Sequence, residues 1–303
     1  MPSTPDEPQF ANERFISFDG APLGLSVWEA KDVASPEVVI VGVHGMNDYA
    51  GAFRWSAPYW AEQGITTYAY DQRGFGRSPH NGIWPEEELM REDLRMAVDV
   101  ARRRHPQARI AVVGISMGGA VAMTAFASDN PPDADLLVLS GPGLRGWGAL
   151  PLLYRLSLWS STHVRPGWVV VPPKRVARSI TATDNEEVME IQWHDPWFQK
   201  TNRIDAVFGV VTLMEHAHKA AAKLPAKVPT LFLYGDRDEI VPQRGVKRTA
   251  PMLPKHVQGA YYEGGYHMLL RDLNRQRVLD DVLAFLRAPG SELPSGASDL
   301  PWR

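Results

Sequence analysis

Hydrophobic residues fall into short continuous runs, separated by longer segments in which apolar positions recur at helical spacing. The runs show almost no polar alternation, which is typical of strands covered on both faces in a parallel sheet. They are VVIVGV (38–43), ITTYAY (65–70), RIAVVG (109–114), ADLLVLS (134–140), TLFLYG (230–235) and GAYYE (259–263). The helical segments are roughly 51–63, 86–104, 117–128, 206–222 and 272–286. This alternation predicts a doubly wound α/β fold, a mostly parallel sheet with helices on both faces.

Two regions depart from the alternation. Near the N-terminus, FISFDGAPLGLSVWEA places Asp19 and Gly20 between two β-prone runs and predicts an antiparallel hairpin, which brings the sheet to eight strands. The stretch after Gly143 contains no clear strand but much tryptophan, proline and leucine, and predicts an inserted helical cap over one end of the sheet. The predicted divisions are a flexible lead (1–9), a core (10–143 and 206–287), the cap (144–205) and a Pro/Gly/Ser-rich flexible tail (288–303).

Composition excludes several classes of function. The 303 residues carry 32 basic and 35 acidic side chains, so the chain lacks the positive field that nucleic acid requires. It has no cysteine, which excludes disulfides, thiolate metal sites and a cysteine nucleophile. No zinc or dinucleotide motif occurs, and we expect no metal and no cofactor. The polar N-terminus resembles no secretory signal and no apolar run is long enough to span a bilayer, so the sequence predicts a cytoplasmic protein.

The stretch RIAVVGISMGGAVAMTAFA, residues 109–127, places a serine between a predicted strand and a helix of small residues. Ser116 is flanked by Gly114 and Gly118, which a sharp strand-to-helix turn requires because larger side chains would collide there. Taken alone, the pattern also fits a buried glycine-rich turn without catalytic function. We predict that Ser116 is a nucleophile and that the amide of Met117, at the helix N-terminus, belongs to an oxyanion hole.

A serine hydroxyl needs a base to take its proton and an acid to orient that base, in the chain order Ser, Asp, His on this kind of fold. His267, in YYEGGYHMLLRD, follows the last predicted strand and is the predicted base. The preceding strand leads into GDRDEIVP, which offers Asp236 and Asp238. We prefer Asp238 as the acid, because the following EIVP can turn back and hold the loop.

The loop after the first long strand, VVIVGVHGMNDYAG, is expected to supply the second oxyanion donor. The amide of Met46 is the predicted donor. His44 is predicted to bond the loop backbone, because the serine already has a base. In DQRGFGRS, Arg73 and Arg77 are predicted to brace the end of the sheet and not to contact substrate.

The motifs VHGMNDYAGAF, AYDQRGFGRS, GISMGG, GDRDEIV and EGGYHMLLRD occur in this order across roughly residues 15–286. Together they resemble the serine α/β-hydrolases of the monoacylglycerol lipase and lysophospholipase type. The resemblance implies the α/β-hydrolase fold, serine chemistry without a cofactor, and a Ser116, Asp238 and His267 triad. Asn47 stands where many members carry the second glycine of His-Gly-x-Gly, and asparagine tolerates a positive φ better than most residues.

The cap contains an apolar stripe at helical spacing, formed by Ala149, Leu152, Leu153, Leu156 and Trp159. The stripe is predicted to pack down on the core. The alternative is that part of it, with Trp147 and Trp168, lines an acyl pocket or makes transient contact with a membrane surface. The predicted pocket residues are Asn47, Trp147, Leu152, Leu156, Trp159 and Met268.

The predicted function is hydrolysis of acyl esters through an acyl-enzyme, with monoacylglycerol-like or lysophospholipid-like lipids as substrates. An aminopeptidase, an amidase or an acyltransferase on the same fold would keep the triad and differ only in what enters the pocket. A non-catalytic binding protein is expected to lack a member of the triad. The predicted partner is a small acyl ester or lipid, and nucleic acid is excluded.

Overall fold

The structure, a computed structural model, describes residues 7–171 and 180–303. The predicted flexible lead and part of the predicted cap fall on residues 1–6 and 172–179, which lie outside the described residues. The strands are β1 (Gln9–Ala11), β2 (Arg14–Ile16), β3 (Pro22–Trp28), β4 (Val38–Val43), β5 (Thr66–Tyr70), β6 (Arg109–Ile115), β7 (Leu136–Ser140), β8 (Val169–Val170), β9 (Asn202–Arg203), β10 (Thr230–Gly235) and β11 (Val257–Tyr262). The α-helices are α1 (Ala57–Glu62), α2 (Glu87–Arg104), α3 (Met117–Phe126), α4 (Leu152–Val164), α5 (Glu186–His194), α6 (Ile204–Ala220), α7 (Gln243–Thr249) and α8 (Arg275–Arg287).

Nine of the eleven described strands form one large sheet in the order β1-β2-β3-β5-β4-β6-β7-β10-β11, and β8 and β9 form a separate pair. The strands from β5 to β11 in this order run parallel, and β1, β2 and β3 are added antiparallel at one edge. Strands β4, β5, β7 and β10 are buried along their whole length, as the continuous apolar runs predict. Because β4, β6, β10 and β11 run parallel, their carboxyl ends and the loops that follow them lie at the same edge of the sheet.

Two hydrophobic clusters cover the two faces of the sheet. One is formed with α2, α3 and α6 and contains Met90, Val121 and Leu213. The other is formed with α1 and α8 and contains Trp60 and Phe285. This arrangement of a mostly parallel sheet between two helical layers confirms the predicted α/β class.

The large sheet has nine strands in the described part of the chain, one more than the eight predicted. The added strand is β1, which pairs with β2 across a tight turn at Asn12 and Glu13, with φ of 49° and 58°. A two-residue turn with positive φ at both positions is usually marked by glycine. Asn-Glu carries no such mark, and a three-residue strand is too short to show alternation, so the pattern missed this hairpin.

Between β7 and α6, the described residues lie outside the large sheet. They include a 3-10 turn at Trp147–Ala149, helices α4 and α5, and the short antiparallel pair β8 and β9. Among the residues that the structure describes, no helix is both long and apolar enough to cross a bilayer.

The tail after α8 is packed on the core and differs from the flexible tail predicted at 288–303. Leu293 and Leu300 are buried, and the backbone of Ser298 pairs with the edge strand β11. Asp281, fully buried on α8, accepts hydrogen bonds from the amide and hydroxyl of Ser295. A few anchoring side chains thus outweigh the loop-forming composition on which the prediction rested.

Candidate active site

Ser116 stands at the junction of β6 and α3 in a strained backbone conformation, with φ 52° and ψ −116°. Such a conformation costs on the order of 1–3 kcal/mol for a residue other than glycine and persists only where the surroundings impose it. A Cβ on Gly114 would lie 2.7 Å from the carbonyl oxygen of Gly118, and one on Gly118 would lie 2.1 Å from that of Val43. The turn therefore requires both glycines, as the sequence pattern predicts.

His267 follows β11 and its imidazole is held by Asp238 in the loop after β10. The distance between His267 Nδ1 and Asp238 Oδ2 is 2.7 Å, and both side chains are buried. The other carboxylate oxygen of Asp238 accepts the amides of Ile240 and Val241 at 2.9 and 2.7 Å. Because a carboxylate only accepts, Nδ1 carries the hydrogen of this bond, and Nε2 is the ring nitrogen left for another partner.

Asp236, the other carboxylate of the same loop, points elsewhere. Its Oδ1 accepts the amide of Gly264 at 2.7 Å. The structure thus brings Asp238, and not Asp236, against His267.

Ser116 and His267 line one cavity of about 420 Å³ at the carboxyl edge of the sheet. Met46 lies in the same lining, and Met117 is the first residue of α3, directly after the serine. Neither the amide of Met46 nor that of Met117 donates a hydrogen bond to another residue of the described ranges. The two amides remain the predicted oxyanion donors.

His44 is fully buried and bonded to backbone on both sides. Its Nδ1 lies 2.7 Å from the carbonyl oxygen of Gly45, and its Nε2 accepts the amide of Gln72 at 2.8 Å. Burial lowers the pKa of His44, so the ring is neutral, with the hydrogen on Nδ1. The imidazole ties the loop after β4 to the loop after β5, which is the backbone-bonding function predicted for it.

The arginines of DQRGFGRS bind carboxylates and lie outside the lining of the catalytic cavity. Arg77 pairs with Asp71, which also accepts the amide of Ala50 in the loop after β4. Burial disfavours the Asp71 carboxylate, but the hydrogen bonds from Arg77 and the Ala50 amide outweigh it and hold the pKa below its usual value. Arg73 bridges Asp19 and Asp93. Arg77 thus holds the end of β5, and Arg73 ties the turn between β2 and β3 to helix α2, while neither lines the catalytic cavity.

Of the six predicted pocket residues, Asn47 and Met268 line the cavity and four do not. Leu152, Leu156 and Trp159 are 68%, 58% and 55% exposed, and no residue of α4 is buried. The indole of Trp147 instead donates to Thr212 on α6 at 3.1 Å. Ala149 at the start of the predicted stripe is buried, but its four members on α4 neither pack down on the core nor line the catalytic cavity, which corrects both interpretations for them.

Another set of α4 side chains borders a second cavity that is open to solvent, since Tyr154 in its lining is itself 65% exposed. Tyr154 and Leu158 line this cavity, which has a volume of about 410 Å³, together with apolar residues of α6. Met214 and Ile240 belong to the linings of both cavities, so the second is adjacent to the first. Helical spacing identified the apolar stripe on α4 correctly, but it could not show that this stripe is exposed.

Several lining residues were missed in the sequence. They come mostly from the second half of the cap and are Ile180, Ala182, Met189, Gln192, Trp193 and Phe198. Met189, Gln192 and Trp193 follow the i, i+3, i+4 spacing of one face of α5, and that spacing was the signal available.

A buried ion pair at the cavity wall was also missed. Arg271 Nη2 lies 2.6 Å from Asp48 Oδ2, with the two side chains only 6% and 7% exposed. Gln192 of α5 donates to the same oxygen at 3.1 Å. The group joins the loop after β4, the loop of His267 and the cap. Apart from this group and the polar side chains of Asn47, Ser116 and His267, the described lining is mostly apolar. The described residues contain no cluster of three or more His, Asp or Glu arranged to hold a metal ion.

Comparison with known proteins shows the family of the chain. The family described as Serine aminopeptidase, S33 matches residues 34–274. The chain belongs to this family. The chain is 27% identical to the monoacylglycerol lipase of Mycolicibacterium smegmatis, over 90% of this chain and 95% of that protein. It is 24% identical to phospholipase YtpA of Bacillus subtilis, over 82% and 95% of the two chains.

Solved structures with the same fold are also similar to this chain. A soluble variant of monoglyceride lipase from Saccharomyces cerevisiae, in complex with a substrate analogue, superposes with a TM-score of 0.72 at 17% identity, covering 94% of this chain and 96% of that one. A thermostable carboxyl esterase from Bacillus coagulans gives a TM-score of 0.73 at 21% identity, covering 93% and 99%. The α/β-hydrolase fold and the resemblance to serine hydrolases of the monoacylglycerol lipase type are confirmed.

Proposed function

We propose that the chain hydrolyses acyl esters of monoacylglycerol-like or lysophospholipid-like lipids with Ser116, His267 and Asp238 as a catalytic triad. The observation that carries this proposal is the cavity lined by Ser116 and His267, with His267 held by Asp238 at 2.7 Å. The chain is a carboxylic ester hydrolase, in line with the lipases and esterases that it matches.

In the proposed mechanism, Ser116 Oγ attacks the ester carbonyl carbon while His267 Nε2 takes its proton. Asp238 keeps the hydrogen on Nδ1 and stabilises the imidazolium that forms. The amides of Met46 and Met117 bind the oxyanion of the tetrahedral intermediate. The imidazolium then protonates the leaving alcohol, and water repeats the two steps on the acyl-enzyme to release the acid.

The chemistry of the lining favours a lipid over a peptide. An aminopeptidase needs a carboxylate to hold the substrate ammonium group. The one carboxylate in the described lining belongs to Asp48, and it already binds Arg271 and Gln192. The remaining wall includes Ile180, Met189 and other apolar side chains suited to an acyl chain.

The adjacent second cavity offers room for the distal part of that chain. Met214 and Ile240 separate the two cavities, and both are apolar. We infer that long acyl chains pass these two side chains and end beneath α4.

The exposed stripe on α4 supports contact with a lipid surface. Leu152, Leu153, Leu156 and Trp159 are all more than half exposed on one helix, and such patches commonly mark interaction surfaces. In this proposal, residues 144–205 form a cap whose outer face touches the membrane or micelle that holds the substrate. Sedimentation with phosphatidylcholine vesicles is expected to remove the wild type from solution and to leave Leu153→Glu/Trp159→Glu behind. Equal sedimentation of both proteins would contradict this function of the stripe.

The triad is tested by labelling with a fluorophosphonate probe and by hydrolysis of monoacylglycerols, lysophospholipids and p-nitrophenyl esters of increasing chain length. Wild type should be labelled and active, and Ser116→Ala should be neither. Ser291→Ala, at an exposed serine far from the cavity, is the matched control and should behave as wild type. Labelling of Ser116→Ala equal to that of wild type would refute the proposal. Faster hydrolysis of aminoacyl amides than of esters would favour the aminopeptidase.

A further inference from the structure

A chain of hydrogen bonds connects the loop of the proposed base, His267, to the predicted cap. The amide of Tyr266, the residue before the histidine, donates to Asp272 Oδ2 at 2.9 Å. The other oxygen of this carboxylate, Oδ1, accepts the hydroxyl of Thr183 at 2.7 Å. Asp272 and Thr183 are only 4% and 5% exposed, so water competes little for these bonds. The backbone before the histidine is thus held through a side chain of residues 180–185, the segment that leads into α5.

The backbone after His267 is bound to the same segment directly. The amide of Met268 donates to the carbonyl oxygen of Ala182 at 3.0 Å. The histidine therefore lies between two anchoring points that belong to consecutive residues of the segment. Its imidazole is held independently by Asp238. The position of Nε2 depends on both the backbone anchors and this side-chain contact.

The segment 180–185 has further bonds to the histidine loop. The side-chain amide of Asn185 donates to the carbonyl oxygen of Arg271 at 2.9 Å, and Asp184 Oδ1 accepts the amide of Leu273 at 2.8 Å. Because the two stretches are joined at several points, a displacement of the segment moves the backbone that carries the base.

The pair of Thr183 and Asp272 acts on the loop and not on the substrate. Ala182 belongs to the described lining of the catalytic cavity, but Thr183 and Asp272 do not. Burial raises the pKa of Asp272, and the hydrogen bonds from Thr183 and the Tyr266 amide act against this rise. Replacing both partners of a buried polar contact by apolar groups of the same shape is often nearly neutral for stability. What this polar pair adds is a directional contact to the backbone beside the base.

We propose that Thr183 and Asp272 are positioning residues for His267, so that the segment 180–185 contributes to the chemical step as well as to the wall of the cavity. This inference rests on the proposed triad. A general base must lie within about 2.6–3.2 Å of the group whose proton it takes. A displacement of about 1 Å can lower the rate about 100-fold. Without the hydroxyl of Thr183, the Asp272 carboxylate loses the bond that fixes it against the Tyr266 amide.

The test uses two substitutions of one residue. Thr183→Val keeps the shape of the side chain and removes the hydroxyl, whereas Thr183→Ser keeps the hydroxyl. For Thr183→Val we expect kcat to fall about tenfold with KM nearly unchanged, and for Thr183→Ser we expect kcat near the wild-type value. Thr181→Val makes the same change at an exposed side chain two residues earlier, and this matched control should retain the wild-type kcat.

Two substrates separate positioning of the base from binding of the acyl chain. The fall in kcat for Thr183→Val should be as large for p-nitrophenyl acetate, whose acyl group is too short to fill the cavity, as for p-nitrophenyl decanoate. The rate constant of labelling by the fluorophosphonate probe should fall in parallel, because labelling uses the same base. Circular dichroism and urea unfolding establish that each variant is folded.

Asp272→Asn is the second variant, and it decides the question if Thr183→Val does not fold. Its amide has one oxygen and cannot accept both hydrogen bonds, so kcat should again fall with KM nearly unchanged.

The outcomes separate the inference from the triad on which it rests. A wild-type kcat in folded Thr183→Val, a loss confined to the decanoate or to KM, or an equal loss in Thr183→Ser would overturn the inference and leave the triad standing. Full activity of Ser116→Ala, or no hydrolysis of either ester by wild type, would overturn the proposed function and the inference with it.

Discussion

The buried pair of Arg271 and Asp48 provides a quantitative test of how the active-site loops are held. Replacing Arg271 with methionine keeps the length of the side chain but removes its charge. Among the residues that the structure describes, Asp48 is then left as a buried carboxylate with two neutral partners, Gln192 and the amide of Tyr49. Breaking a buried ion pair by removing one partner costs about 3–5 kcal/mol.

For Arg271→Met we therefore expect the free energy of unfolding to fall by about 3–5 kcal/mol. At about 2–4 °C per kcal/mol for a large domain, the melting temperature should fall by about 6–20 °C. The double variant Asp48→Asn/Arg271→Met removes both charges and should recover much of this loss. We also expect kcat to fall more than KM rises in the single variant, because Asp48 lies two residues after the proposed oxyanion donor Met46.

Urea unfolding followed by circular dichroism measures the four corners of this double-mutant cycle, and initial rates on a soluble ester measure kcat and KM. Lys31→Met is the matched control, because Lys31 pairs with Glu62 on the surface, where both side chains are more than half exposed. It should not change the stability measurably. If Arg271→Met costs less than about 1 kcal/mol, or if the double variant is as unstable as the single one, the pair does not behave as a buried ion pair.

Three further predictions address the acyl path, the tail and the dependence on pH. Met214→Trp should lower kcat/KM for long-chain esters about tenfold or more, because the indole fills the passage between the two cavities. Short-chain esters should be hydrolysed as by wild type. An unchanged dependence of kcat/KM on chain length would contradict the proposed acyl-chain path. Deleting residues 289–303 removes two hydrogen bonds to the buried Asp281 carboxylate. The free energy of unfolding should fall by at least about 1–3 kcal/mol. An unchanged midpoint of urea unfolding would show that the tail does not contribute to stability. The hydrogen bond from Arg248 holds the pKa of Glu215 at about 2. The stability that the ionised Glu215 contributes should therefore be complete above about pH 4.5 and be lost as the pH falls towards 2. In Glu215→Gln, the free energy of unfolding should depend less on pH between these two values. The same pH dependence in the variant and in wild type would refute this prediction.

The central strands and the serine turn could be predicted from sequence because their causes are local. Strands β4 and β10 coincide with their apolar runs, since a strand covered on both faces has no polar positions to interrupt it. The turn at Ser116 needs small neighbours for steric reasons that hold in any such turn. The acid loop and the histidine loop follow consecutive predicted strands in the chain, so Asp238 and His267 could also be predicted from the sequence.

Tertiary structure decided the features that depend on which surfaces meet. The pattern on α4 identified an apolar stripe, but only the placement of the helix shows that this stripe faces outward and that Tyr154 and Leu158 face the second cavity. Asp48 lies 223 residues from Arg271 and 144 from Gln192, and no local spacing relates them. A sequence pattern records the periodicity of one element, whereas a contact between elements is fixed only when the chain has folded.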